Sequence, residues 1–327
     1  MAMRSINPAT EETLACFDEV TPEKIDATLT QARAAFEVWR GAAIVERAGP
    51  MRRAATYLRG QKERFAALIT AEMGKPIVES EAEIEKCAAA CAYFTDHAAA
   101  FAADQHIATN ARESFVAFAP LGVILAIMPW NFPFWQVFRF AAPGLMAGNT
   151  AVLKHASNVG GCALAIEETI REAGFPEGAQ RALLVDIDVV PGIIDDERIA
   201  AVTLTGSIGT GRHVAALAGR ALKKTVLELG GSDPFIVLAD ADLDGAVEYA
   251  VRARYQNAGQ SCIAAKRFIV VEETANLFER RFAEAVAALR VGDPTQRETQ
   301  VGPLARADLR DNLVLFWLQR SSVLLQR

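Results

Sequence analysis

From Pro22 onward the apolar positions Ile25, Leu29, Ala32, Phe36 and Trp39 recur every third or fourth residue, with Thr21 before them and Gly41 after. That spacing lays one apolar stripe along a helix, started by Thr21 and Pro22 and stopped by Gly41. Similar periodicity predicts helices over residues 45–58, over 62–73 with Gly74 and Pro76 as stop signals, and over 78–102. The first part of the chain therefore reads as mostly α. Residues 107–118 alternate irregularly, and 122–128 then form an unbroken apolar run suited to a strand buried on both faces. Beyond it strand and helix patterns take turns. Strands are predicted at 151–154, 182–185, 201–205 and 225–229, with helices at 135–147, 162–172 and 210–218. Such β-α succession builds a largely parallel sheet with helices over its faces. After Gly230 and Gly231 the pattern restarts, with strand 234–238, helix 243–255, strand 267–271 and helix 274–289, and this reads as a second α/β domain. The run from Asn312 to the end neither caps a helix nor completes a sheet in this reading.

With 327 residues, 51% of them hydrophobic and 23% charged, the chain holds enough apolar material for more than one core. A net charge of -6 argues against affinity built on neutralising phosphates, so a small-molecule partner is expected and nucleic acid is not. No run approaches the ~20 apolar residues that cross a bilayer, and the first residues lack the apolar segment of a secretory leader, so no membrane partner and a cytoplasmic location are expected. Five cysteines without a CxxC spacing indicate neither a disulfide framework nor a metal site. Cys16, Cys87, Cys91 and Cys162 sit among alanine or apolar neighbours and read as small buried hydrophobes.

The fifth cysteine differs. Cys262 ends GQSC at 259–262, where Gly259 permits a tight loop and the neighbours are polar, so it reads either as a nucleophile or as inert filling. Glu228, in LELGG at 227–231, is an acid among apolar residues at a strand end. A buried carboxylate there is costly unless it is paired or used, and capping a nearby backbone is the alternative. Asn131 lies between the prolines of PWNFP at 129–133, where a rigid loop could aim its amide at an oxyanion together with the Cys262 backbone N–H, or where it is an ordinary turn asparagine. LKHASN at 153–158 and LTGS at 204–207 each follow a predicted strand, the place where doubly wound sheets bind nucleotides, although Gly206, Gly209 and Gly211 do not form GxGxxG.

Taken together and in this order, PWNFP, LKHASN, LTGS, LELGG and GQSC resemble the aldehyde dehydrogenase superfamily, and the likeness runs from Ile6 to about Asp311. The family lacks the usual dinucleotide fingerprint, and its base and nucleophile are separated as here, by 262 − 228 = 34 residues. LKHASN, LELGGSDPFIVL and NAGQSCIAAKRFIV are most similar to the bacterial NADP-dependent succinate-semialdehyde dehydrogenases. The resemblance implies an α/β fold with a Rossmann-type cofactor domain over 1–229, including 107–119 as an oligomerisation hairpin, and a catalytic domain over 230–327.

It also implies roles. Cys262 attacks the aldehyde, Asn131 and the Cys262 amide hold the oxyanion, hydride passes to NAD(P)+, and Glu228 activates the water that hydrolyses the thioester. Trp130, Lys154, Ser157, Gly206, Ser207 and Leu229 line the cofactor, with a plain core tryptophan as the other reading of Trp130. Ser157 stands where many NAD-preferring relatives carry an acid, which with cationic Lys154 favours NADP, NAD remaining possible. Arg139, eight residues after Asn131, would meet the far carboxylate of the substrate or be an ordinary surface arginine; Gln256 replaces a second arginine that some relatives place there. Family members continue through an EE-x-FGP segment and a C-terminal strand that joins a neighbouring subunit, so a truncated chain with an incomplete catalytic domain is expected, from a usually homo-oligomeric family. A non-catalytic remnant retaining nucleotide binding, and a cysteine esterase needing no hydride acceptor, are the competing readings.

Overall fold

A computed structural model describes residues 3–18 and 20–324, with side chains as far as residue 315. The chain divides into two compact units, one comprising Met1–Ser5, Ala15–Leu68 and Glu81–Leu229, the other Ile6–Leu14, Ile69–Ser80 and Gly230–Arg327. Strands β1 (Met3–Ile6) and β2 (Thr13–Phe17) pair as a small sheet. Four helices follow: α1 (Pro22–Trp39), α2 (Ile44–Gly60), α3 (Lys62–Met73) and α4 (Ile77–Phe101). The Thr21 hydroxyl accepts the Lys24 N–H, and Pro22 occupies the first turn, so the start signals read from the sequence act as such. The irregular stretch after α4 is a two-rung antiparallel hairpin, β3 (Gln105–His106) with β4 (Phe115–Val116).

The five-stranded sheet of the first unit is parallel throughout. It is built from β5 (Val123–Met128), α5 (Trp135–Met146), β6 (Thr150–His155), α6 (Gly160–Glu172), β7 (Gln180–Ala182), α7 (Val190–Asp195), β8 (Ile199–Gly206), α8 (Ile208–Arg220) and β9 (Lys224–Leu229). The order is β7-β6-β5-β8-β9. The unbroken apolar run forms β5 because a central strand with helices on both sides has no face for polar residues; Val123, Leu125 and Ala126 are at most 1% exposed. On one side Leu29, Ala32 and Phe36 of α1, Ile193 of α7 and Val214 of α8 pack with Val123, Leu125 and Val152. Each of these side chains larger than alanine contributes about 1.5–3 kcal/mol by leaving water.

The third strand lies earlier than its apolar run suggests. β7 covers 180–182, the Leu183 N–H closes the ladder on the Leu153 carbonyl at 2.8 Å, and the burial of Leu183 and Val185 carries the apolar run past the strand. The apolar signal at 182–185 reports burial, and burial without alternation does not fix strand register. Cys87, Cys91 and Cys162 are buried, but Cys16 is exposed, a correction that follows from its place in the two-stranded β1–β2 sheet.

In the second unit β10 (Asp233–Val237) pairs in parallel with β11 (Ala265–Val270). Helices α9 (Leu243–Tyr255) and α10 (Glu272–Ala287) enclose a core of Val237, Val247, Ala250 and Phe278, with Phe235, Phe268 and Phe282 packed against it. The final element is α11 (Ala307–Leu324), so the run from Asn312 is helical as far as 324 and its last residues, 325–327, lie outside the described part. Between 307 and 324 there is neither glycine nor proline, so no residue of the stretch breaks a helix.

Candidate active site

The strand order places a topological switch in the first unit. Connections from β5 step outward to β6 and β7, and the chain then returns to the other side of β5 for β8 and β9. The loops after β5 and β8 therefore leave the sheet in opposite directions, opening the crevice at the strand carboxyl ends where such sheets take ligands. Trp130 and Asn131 follow β5, Lys154 is the last residue but one of β6, Ser157 follows that strand, and Gly206 and Ser207 end and follow β8. Ser207 caps α8, its hydroxyl accepting the Thr210 N–H, so the start of a 13-residue helix faces that edge. A helix start at a switch point suits a pyrophosphate.

Trp130 is half-buried, and Ser157 is exposed. Burial pushes the Lys154 ammonium below the ordinary lysine range, while attraction to Asp186 opposes the shift. Asp186 was not singled out by sequence reasoning; its charge enters only because the segment after β7 lies near β6. Leu229 packs its side chain on Gly211 of α8, where a Cβ would lie 2.6 Å from a leucine methyl. Its side chain thus serves the helix-to-strand contact. These residues fit a dinucleotide: a switch-point crevice, a capped helix start and a half-buried cation converge on one sheet edge.

The loop carrying Asn131 is fixed by residues remote in sequence. His155, fully buried at the end of β6, has Nε2 2.9 Å from the Pro133 carbonyl oxygen, and its Nδ1 accepts the Ala156 N–H at 2.9 Å. The ring thus ties β6 to the asparagine loop, its Nδ1 lying also 3.2 Å from the Met128 carbonyl oxygen at the end of β5. Glu83 of α4 accepts the N–H groups of Phe134 and Trp135, each at 2.9 Å, and so caps α5 from a distance. Neither residue was found from the sequence, because neither pattern is local.

Burial drives the His155 pKa down to about 4. In the unfolded chain the ring titrates near 6.5, so as pH falls below that value the unfolded state binds a proton that the folded state refuses. Stability carried by the neutral ring is full above about pH 6.5 and is lost as pH falls toward 4. Between pH 7 and pH 5 the expected loss is about 2 kcal/mol, at ~1.4 kcal/mol per unit of pH. Urea unfolding at the two pH values checks this, and in His155→Gln the difference between them should shrink by about that amount. An undiminished difference would remove His155 from the account.

Along β9, Lys224, Val226 and Glu228 face outward, whereas Thr225, Leu227 and Leu229 are partly covered. Glu228 is therefore not the buried acid suggested by its apolar neighbours. Its side chain is 53% exposed, because the strand alternates and the apolar neighbours point the other way. Arg139 of α5 meets it, with Nη2 3.1 Å from Oε2. A pair this open to water is worth about 0.2–1 kcal/mol and exchanges readily. Arg139 is thus neither an isolated surface arginine nor an unoccupied anion site.

Cys262 lies in the second unit, half-buried, after an unusual stretch of backbone. Asn257, Ala258 and Gly259 all have left-handed dihedrals, with φ of 57°, 53° and 75°. Only Gly259 adopts this freely, and each other residue costs about 1–2 kcal/mol. The surrounding bonds hold the turn. Glu79 accepts the Asn257 N–H at 2.8 Å, the amides of Asn257 and Gln260 bond each other's carbonyls at 3.3 and 3.1 Å, and Gln260 accepts the Ala305 N–H at 2.9 Å. Lys266 then gathers the carbonyls of Ser261, Cys262 and Ala264. Strain held by this many bonds belongs to a loop whose shape matters.

Of the sequence-derived residues, the first unit brings Arg139 to Glu228 and sets Trp130, Asn131, Lys154, Ser157, Gly206, Ser207 and Leu229 along or beside the carboxyl edge of its sheet. Cys262 belongs to the other unit. Among the described residues there is no group of three or more metal-binding side chains, and no helix is long and apolar enough to cross a membrane.

Comparison with known proteins supplies the context. Residues 1–319 match the model of the Aldehyde dehydrogenase family. A Synechocystis sp. protein named a probable succinate-semialdehyde dehydrogenase (NADP(+)) is 52% identical over 314 residues, which is 96% of this chain and 69% of the relative. A succinate semialdehyde dehydrogenase (NAD(P)+) of Escherichia coli is 50% identical over 94% of this chain and 67% of its own length. The crystal structure of succinic semialdehyde dehydrogenase from Streptococcus pyogenes in complex with NADP+ superposes with a TM-score of 0.93 at 36% identity, covering 95% of this chain and 69% of that one.

Proposed function

The chain belongs to the aldehyde dehydrogenase family, and from that premise we propose that it oxidises succinate semialdehyde to the acid with NADP+ in preference to NAD+. The observation that carries the proposal is identity over nearly the whole chain to a relative named for that substrate and cofactor. In this reading the first unit binds the nucleotide and the second supplies the nucleophile. The Cys262 thiolate adds to the aldehyde carbon, and Asn131 with the Cys262 N–H stabilises the oxyanion. NADP+, when bound at the carboxyl edge of the first unit's sheet, would supply the hydride acceptor. Glu228 takes a proton from water as that water attacks the thioester, which frees the acid and restores the thiol. The β3–β4 hairpin, exposing Ile107, Phe115 and Phe118, is the part of the first unit proposed to meet another copy.

Lys154, with the neutral Ser157 nearby in the chain, supports the cofactor preference, since a cation without an acid at that place suits a 2′-phosphate. Arg139 supports the substrate. Its partner Glu228 is held weakly, so a substrate carboxylate can share or take over the guanidinium.

Steady-state reduction of NADP+ and NAD+ with succinate semialdehyde tests both parts. A higher kcat/KM with NADP+ is expected; equal values would overturn the cofactor preference, and NADPH binding without aldehyde-dependent reduction would overturn oxidation. Arg139→Ala should raise KM for succinate semialdehyde about tenfold or more, the scale of one lost charge-assisted hydrogen bond. Butyraldehyde should change by less than about twofold. Parallel changes for both aldehydes would take Arg139 out of substrate binding.

A further inference from the structure

The three carbonyls around Lys266 bear on the oxyanion donor. Ser261 O accepts from the Ala264 N–H at 3.2 Å, closing a turn over 261–264. The Lys266 ammonium approaches the same oxygen at 3.2 Å, Cys262 O at 2.9 Å and Ala264 O at 3.4 Å. In a trans peptide the carbonyl of one residue and the N–H of the next point in opposite directions. A cation bound to Ser261 O therefore fixes the direction of the Cys262 N–H, turning it away from the ammonium. Rotating that peptide would carry a carbonyl dipole to the face where the N–H stands and strip the ammonium of an acceptor. Upstream, the left-handed residues 257–259 are held by Glu79 and Gln260, so the carbonyl of Ser261 and the residues after it are where the loop still needs a fastening.

We infer that Lys266 is a positioning residue that locks the Ser261–Cys262 peptide with the Cys262 N–H presented as an oxyanion donor. The inference rests on the reading of Cys262 as nucleophile. Lys266 touches no reacting atom in this role and acts, from the start of β11, through the backbone of the loop before it. An oxyanion donor already aimed before reaction requires no reorganisation when charge develops, which is why a fastening outside the reacting atoms can alter a rate.

Two reactions of the same thiol separate this role from general support of the loop. With iodoacetamide the thiolate forms a carbon–sulfur bond as iodide leaves, and no oxyanion develops. With p-nitrophenyl acetate the thiolate adds to the ester carbonyl, its π electrons move to oxygen, and collapse of the adduct expels p-nitrophenolate, leaving an acetyl thioester. Lys266→Met keeps the length of the side chain and removes the charge. Its acylation by the ester should be slower by about tenfold to a hundredfold, somewhat less than deletion of a whole oxyanion donor, while alkylation stays within about twofold. Lys266→Arg, which retains donors to the carbonyls, should recover most of the acylation rate. The inference is overturned if acylation is unchanged in Lys266→Met, if both reactions slow together, or if Arg fails to restore. Parent protein and Cys262→Ala reacting equally with both reagents would instead overturn the assignment of the nucleophile, a separate result.

Discussion

Replacement of Cys262 by alanine is expected to lower aldehyde-dependent NADPH formation by at least about 10⁴-fold, the scale of losing a covalent nucleophile, with NADPH affinity unchanged within about twofold. The contrast with the other cysteines is physical. Cys87, Cys91 and Cys162 are buried without exposure, and burial pushes the Cys91 thiol up to about 12, which keeps it protonated at neutral pH. Cys16 is exposed, but it sits in a two-stranded hairpin. Only Cys262 follows a strained, multiply tethered turn, and it is only partly covered. Stopped-flow absorbance for NADPH formation and fluorescence for NADPH binding check the two halves. Residual turnover above a tenth of the parent value would mean that another group captures the aldehyde.

What the sequence made legible follows from how local each signal is. Helix α1 matches its expected bounds because the stripe from Ile25 to Trp39 and the cap at Thr21 lie in one short stretch. The β-α alternation yields the parallel sheet for the same reason, each strand carrying its own period. The displacement of β7, expected at 182–185 and found at 180–182, shows the limit, since the ladder closes with the Leu183 N–H while buried apolar residues continue to Val185. Glu228 shows the limit in another way. Apolar neighbours suggested burial, yet in a strand the neighbours point to the opposite face, and the residue that meets Glu228 is Arg139, 89 positions earlier (228 − 139). His155, Glu83, Asp186 and Lys266 escaped notice because what they do depends on carbonyls, amides or charges brought near by the fold. Their own residue types, such as a histidine or a lysine in a strand, carry no mark of it.

Glu228→Gln is expected to separate the two halves of the reaction. The amide preserves the shape of the side chain and a hydrogen-bonding oxygen for Arg139, but it cannot take a proton from water. Capture of the aldehyde and loss of hydride need no base at this position, so the first turnover should release one equivalent of NADPH at close to the parent rate. Subsequent turnovers should be slower by about 10²–10⁴-fold, the usual worth of a general base, and the acyl thioester on Cys262 should accumulate to a level visible by mass spectrometry of the intact chain. Added hydroxylamine, which attacks the thioester without help from a base, should restore part of the turnover. A slow first turnover would place Glu228 before hydride loss, and unchanged steady-state turnover would remove it from catalysis. The ion pair with Arg139 sharpens the comparison. At 53% exposure and 3.1 Å the pair is too weak to hold the carboxylate against a stronger claim on the guanidinium. A substrate that brings its own carboxylate to Arg139 releases Glu228, whereas an uncharged aldehyde leaves the pair intact. In the parent protein thioester hydrolysis should therefore be faster with succinate semialdehyde than with butyraldehyde. Glu228→Gln should abolish that difference, because with no base to release, the state of Arg139 no longer matters to the water.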